Sequence, residues 1–278
     1  MKADMSQNVA VVTGANRGLG LAIVKALCKR YHGVVYLTSR NQKRGKDAVE
    51  HLKKLGLHPK YHQLDVTDRE SIIRFRDHLK RQHGGLDILI NNAAILGCVV
   101  RHSYTEDKGV IDVNYKGPLS IHYYILPLLR DNGRVLNISS DCGHLLNIRN
   151  RYWIKRLSKS DLNINDINEF VDWFLESSRF ETFATTDIAD GGTLAAYRVS
   201  KVALSALSLV QQKKFYNKNI SVNFIHPGYV KTDMTEGDGD FTPDEAALKV
   251  AYLVLDVPQT LKGAYVWHDL TVHDWYTK

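Results

Sequence analysis

Tyr197 and Lys201 stand four residues apart in the run Tyr197-Arg198-Val199-Ser200-Lys201. On a helix this spacing puts a phenol and an ammonium on one face. A cation beside a phenol stabilises the phenolate and lowers a pKa that starts near about 10. Tyr197 is therefore a candidate general acid for reducing a carbonyl, although such a pair alone is more often structural. Two further positions support the chemical reading. Ser139-Ser140 closes an apolar run at a C-terminal strand end, where open α/β sheets hold their ligands. A hydroxyl there can donate to an oxygen on which negative charge develops; the plain alternative is a serine that ends a strand. Asn114 precedes Pro118 by four positions. Proline has no N–H, so the Asn114 carbonyl loses its helical partner and the helix should kink. A carbonyl freed in this way, if it faces the site, would hold a water linking Lys201 to solvent.

A second constellation lies near the N-terminus. Thr13-Gly14-Ala15-Asn16-Arg17-Gly18-Leu19-Gly20 falls between an apolar run and an amphipathic stretch. Glycines there let the backbone approach a pyrophosphate, and the free N–H groups of a helix N-terminus point at the anion. A tight turn without a ligand needs only one glycine. Further along, Thr38-Ser39-Arg40-Asn41 ends the next apolar run with no carboxylate to bind ribose hydroxyls. Arg40 can instead pair with a 2′-phosphate, with Arg17 as a second positive charge on the same group. NADP(H) is the expected cofactor. No metal site is expected.

Strands and helices that could hold these residues alternate along the chain. Strands are expected at about 9–13, 34–38, 61–66, 87–91, 134–139, 221–225 and 263–267. Helices are expected after Gly20, up to about Leu55, and at about 71–82, 107–129, 194–216 and 242–255. The last opens on a capping box, Thr242 with Glu245, and has Pro243 at its first position. Such alternation implies right-handed crossovers, hence an α/β fold: a doubly wound parallel sheet of about seven strands with helices on both faces. The rhythm breaks at about 141–192, a polar insertion with one helix near 165–178. A single domain over 1–278 is expected, with a substrate loop at about 228–241. The pocket is expected to be lined from residues 142–153 and 229–241, with Trp153, Tyr229 and Met234 making it friendly to aromatic compounds. His226 reads as a strand-end residue.

Composition removes other classes. The net charge is +7, from 37 Lys+Arg against 30 Asp+Glu, but the basic residues are scattered over helix faces (Lys43, Arg44, Lys46, Lys53, Lys54, Arg74, Arg76, Lys80, Arg81, Lys213, Lys214). No aromatic-interleaved basic stripe points to nucleic acid. Cys28, Cys98 and Cys142 form no CxxC pair, which suggests free thiols in a reducing compartment. No signal peptide and no apolar run long enough for a membrane are read from the chain, so a cytoplasmic protein with no membrane partner is expected.

Taken together, these motifs make the sequence similar to the short-chain dehydrogenases/reductases, and among them to the monomeric carbonyl reductases of animals. The resemblance is carried by the Thr13 to Gly20 loop, Leu64-Asp65-Val66, Asn91-Asn92-Ala93-Ala94, Asn114, Ser139-Ser140, Tyr197 with Lys201, and Pro227-Gly228 with Thr232. It implies a Rossmann-type sheet and a reductase acting on a small-molecule ketone, aldehyde or quinone. It further implies Tyr197 as proton donor, and Lys201 holding the nicotinamide ribose and lowering the tyrosine pKa. Asn114 would support the proton relay, and Ser140 would be the catalytic serine of the pair. Asp65 and Val66 would contact adenine, Asn91 would line the cofactor cleft, and Val230 to Thr232 would meet the nicotinamide amide. Two departures stand out. Ala94 replaces the family's usual glycine, adding a methyl that should shift local packing without abolishing cofactor binding. In addition, 57 positions separate Ser140 from Tyr197, far more than is common. The insertion resembles one that covers an oligomerisation face, so a monomer is expected. Three other readings remain: a reductase dedicated to one steroid, terpenoid or alkaloid ketone, a non-catalytic redox sensor, and a nucleic-acid binder.

Overall fold

A computed structural model describes residues 7–97, 103–215 and 218–277. Its first strand, β1 (Val9–Val12), is buried at every position. It continues through α1 (Gly18–Arg30), β2 (Val34–Ser39), α2 (Gln42–Lys54), β3 (Lys60–Gln63), α3 (Arg69–His83) and β4 (Leu86–Asn91). After α4 (Tyr104–Ile111) and α5 (Gly117–Tyr124) come β5 (Leu129–Ile138), α6 (Arg151–Leu157), α7 (Ile164–Arg179) and α8 (Ala195–Lys214). The chain closes with β6 (Ser221–Ile225), α9 (Pro243–Leu255), β7 (Tyr265–Val266) and β8 (Val272–His273).

The strands form one sheet in the order β3-β2-β1-β4-β5-β6-β7-β8. All neighbours pair parallel except β7 with β8. The order reverses at β1, where β1 lies between β2 and β4, and this opens a crevice at the strands' C-terminal ends. The pleat divides the core. Ala10 and Val12 face a cluster built with α1, α2 and α9, whereas Val9 and Val11 face one built with α3 and α5. Burial on both faces is why these strands read as unbroken apolar runs.

Three differences from the sequence reading have physical causes. The sheet has an eighth strand. β8 is two exposed residues long, too short for any periodicity. The helix expected over 107–129 is broken. A π-helical turn, Asp112–Lys116, separates α4 from α5, next to the position where Pro118 lacks the N–H of a regular α-helical ladder. Pro127 then confines the end to a 3₁₀ turn, Leu126–Leu128, and β5 begins at Leu129. The insertion holds two helices. Its α7 opens on a capping box from Asn163 and Asp166 and buries Ile167, Phe170, Val171 and Phe174 in a third cluster with Val199, Val202, Ala203 and Ala206 of α8. The capping box of Thr242 and Glu245, with Pro243 at the first helical position, is found as expected.

Candidate active site

The glycine-rich loop is held from beneath. Thr13 Oγ1 accepts the N–H groups of Asn92 and Ala93, each at 3.0 Å, and Asn92 Nδ2 donates to the carbonyls of Thr13 and Gly14. This clamp leaves no room for side chains. A Cβ on Gly14, whose φ is +62°, would lie 2.7 Å from Ala93 Cα, and one on Gly20 would lie 2.5 Å from Asn92 Nδ2. The first helix starts at Gly18 with no side-chain cap and no acidic residue in its first turn. Its leading N–H groups are therefore left for an anion.

A cleft of about 980 Å³ runs from this loop across the strand ends. Gly14, Asn16, Arg17, Gly18, Leu19, Gly20, Arg40, Asp65 and Val66 line one part; Ser140, Tyr197, Lys201, Val230 and Thr232 line another. The guanidinium of Arg40 forms no ion pair among the described residues, whereas that of Arg17 pairs with Asp233 at 2.8 Å, both exposed. Arg17 is thus less free for a phosphate than the sequence suggested. Asp65 accepts from the N–H and hydroxyl of Thr67, which fixes the loop after β3. The expectation for Asn91 needs correcting. Its side chain is buried and donates to Asn137 Oδ1 at 2.7 Å, so Asn92 lines the cleft in its place. Ala94 lies outside the left-handed region, so the backbone there does not call for glycine.

At the reacting end, the two serines separate. Ser139 is buried, and its hydroxyl meets Ser205 of α8 at 2.8 Å. Ser140 sits in the cleft, its carbonyl held by the Tyr265 hydroxyl at 2.6 Å. Leu194, immediately before α8, has φ of +54°, an unusual conformation for a branched residue that sets where the helix begins. From α8, Lys201 is buried and donates to the carbonyl of Ile138, the last residue of β5, at 2.7 Å. Its Nζ lies 5.5 Å from the Tyr197 ring centroid. Desolvation brings the Lys201 pKa down to about 8.

Burial and the neighbouring Cys142 thiol push Tyr197 above its ordinary value, and the hydrogen bond with Ser140 is the influence that lowers it. The Lys201 ammonium docks on a strand carbonyl beside the ring. With its pKa raised, Tyr197 holds its proton at neutral pH, as a proton donor must.

Asn114 lies behind the cleft in the π-helical turn. Its amide is matched to Ile95, accepting from that N–H and donating to that carbonyl, each at 2.9 Å, and it donates to Ser200 Oγ at 3.0 Å. The side chain therefore ties the segment after β4 to α8.

Of the expected pocket residues, Cys142, Tyr229, Met234 and Phe241 line the cleft, but Trp153 does not. It is buried against Phe170 and Trp173, because α6 turns its ring into the core of the insertion. Sequence reasoning passed over Asp141, Leu194 and His268, which line the cleft together with His226, read from sequence as a strand-end residue. Only the adjacency of Asp141 to Ser140 could have signalled one of them.

A family model described as short chain dehydrogenase matches residues 8–151 and 188–242. The unmatched stretch between falls within the insertion. Human "Carbonyl reductase [NADPH] 3" is 34% identical over 281 residues, covering 96% of this chain and 98% of its own. Among solved structures, salutaridine reductase from Papaver somniferum superposes with a TM-score of 0.86 at 30% identity, over 95% of this chain and 100% of its own. Menthone neomenthol reductase from Mentha piperita gives 0.79 at 27%, over 95% and 99%. With the glycine loop, the strand order and the cleft already in place, the chain belongs to the short-chain dehydrogenase family.

Proposed function

We propose that the protein is an NADP(H)-dependent reductase of ketones, aldehydes or quinones, and that the side chains of Ser140, Tyr197 and Lys201, with Asn114 behind them, carry the reaction. The observation that supports this reading most directly is one cleft lined by a phosphate-ready helix N-terminus, by Arg40, whose guanidinium has no ion pair among the described residues, and by Ser140, Tyr197 and Lys201 together. The residues present fit the dinucleotide. Gly14 to Gly20 would take the pyrophosphate, Arg40 the 2′-phosphate, Asp65 and Val66 the adenine, and Val230 to Thr232 with Lys201 the nicotinamide half. When bound, the reduced nicotinamide supplies a hydride. Tyr197, still protonated at neutral pH, gives its phenolic proton to the carbonyl oxygen, and the Ser140 hydroxyl orients that oxygen. Lys201 holds a positive charge close to the tyrosine ring in a dry setting. Asn114 keeps the floor of the site in register. The relatives named as NADPH carbonyl reductases support the cofactor and the reaction class.

The test is NADPH oxidation against a panel of quinones, aldehydes and ketones, repeated with NADH and with Tyr197→Phe. Turnover with NADPH is expected to exceed that with NADH. Loss of the phenol should lower turnover by about 10²–10⁴-fold, the range of general acid catalysis, while NADPH binding persists. Normal turnover by Tyr197→Phe contradicts the assigned role. A second reading, a reductase dedicated to one alkaloid or terpenoid ketone, draws on the likeness to the salutaridine and menthone reductases, and a narrow profile in the same panel would favour it. We further propose that the protein acts as a monomer in the cytoplasm. The buried packing of α7 on α8 and the free thiols of Cys28 and Cys142 support this. Cys98 lies outside the described residues. Among those residues, no helix is long and apolar enough to cross a membrane.

A further inference from the structure

Ser140 is followed by a carboxylate that the reaction above does not use. Asp141 opens a short 3₁₀ turn, Asp141–Gly143, and lines the cleft. Its Oδ1 accepts the Ser140 hydroxyl at 2.7 Å and the Cys142 N–H at 2.8 Å. Among the described residues nothing hydrogen-bonds to Oδ2, and the side chain is 60% exposed.

The neighbours do not neutralise it. His226 accepts the Asp141 N–H on Nδ1 at 3.0 Å, so that nitrogen carries no proton, and burial brings the ring's pKa down to about 4. Arg198 faces the same cleft, but its guanidinium is engaged by Asn147, Asp190 and the Thr193 carbonyl. Desolvation would raise the Asp141 pKa. The Ser140 hydroxyl and the Cys142 N–H hold it below the ordinary carboxylate value, helped by the nearby charge of Arg198. An ionised carboxylate with one open oxygen thus lines the same cleft as Leu194, Tyr229, Met234 and Phe241.

We propose that this end of the cleft selects carbonyl compounds that carry a positive charge, a protonated or quaternary amine, with Asp141 as the counter-ion. The proposal rests on the reductase reading above and adds the charge class of its substrate. Attraction between opposite charges is stronger in a partly dry cleft than in water, and an anionic substrate meets repulsion at the same place. The contact also bears on Ser140. Its hydroxyl has a single proton, now donated to Asp141 Oδ1. A cation on the carboxylate weakens that bond and releases the proton toward the substrate oxygen.

The experiment uses the full chain with NADPH and three aryl ketones on one frame, bearing trimethylammonium, tert-butyl or carboxylate. The expected kcat/KM for the cation exceeds that for the neutral isostere by about three- to fivefold, the scale of one solvent-exposed ion pair, and the anion is slowest. In Asp141→Asn the cation/neutral ratio falls toward one, and in Asp141→Glu it returns. A trimethylammonium arene without a carbonyl should also inhibit wild-type reduction of the neutral ketone more strongly than its tert-butyl isostere does. This arm decides the matter even where Asp141→Asn does not fold. Equal inhibition, or a ratio unchanged in Asp141→Asn, overturns the proposal. Reduction of the neutral ketone without preference for the cation overturns charge selection and leaves the reductase reading standing. Reduction of none of them overturns that reading and this inference with it.

Discussion

Single side chains decide which nucleotide fits. Arg40 and Arg17 carry the same charge and line the same cleft, yet only Arg17 already has an acidic partner, Asp233. Releasing it costs the cofactor part of what the new contact returns. Arg40→Ala is therefore expected to weaken NADPH binding by about 10- to 100-fold, as for a lost charge-assisted hydrogen bond, with NADH little affected. Arg17→Ala should weaken NADPH binding less. Fluorescence titration of both cofactors checks the order, and a larger loss at position 17 would contradict it. These arginines were legible in the sequence because their places follow from the strand–loop–helix pattern. The Asp233 pairing was not, because it joins loops 216 residues apart.

Among the elements, α7 and α8 show how the insertion serves the site. The proposed roles of Tyr197 and Lys201 need a rigid helix, and α8 is buried along most of its length. Part of that cover comes from Phe170 of α7, which is fully buried and rests against Trp153 and Trp173. Phe170→Ala is expected to destabilise the protein by about 3–5 kcal/mol, measured by urea denaturation, and to broaden the tyrosine's surroundings before unfolding. A loss under about 1 kcal/mol would mean that α7 is a loose attachment. Helical spacing at Ile167, Phe170, Val171 and Phe174 revealed α7 from sequence. The π-helical turn was legible only as a kink at Pro118. Its hydrogen-bond register depends on how α4 and α5 pack, which no local signal encodes.

The whole molecule has a built-in sensitivity to acid. Burial brings His78, His122 and His226 down to a pKa of about 4 each, assisted at His78 by His62 and His83 and at His122 by Lys214. Unfolded, each returns to about 6.5. The unfolded chain therefore binds more protons between these values, and stability falls as pH drops through the interval. Above about pH 6.5 all three contribute fully. The urea midpoint should decline from pH 7 to 4.5, with proton uptake on unfolding near pH 5. A flat midpoint across that range would show that these rings stay hydrated in the folded protein.

The sequence by itself determined the alternation of strands and helices, the glycine loop, the Tyr197–Lys201 spacing and the kink before Pro118. Each is set by interactions within a few residues, through backbone sterics and helical or strand periodicity. Only the tertiary structure decided that Ser140 faces the cleft while Ser139 is spent on Ser205, that Asn92 rather than Asn91 lines it, that Trp153 packs inward, and that Lys201 docks on Ile138. Those outcomes depend on which strand end meets which helix across the crevice. Contacts between segments distant in the chain, formed by burial of the sheet's two faces, leave no periodic trace in the residues that make them.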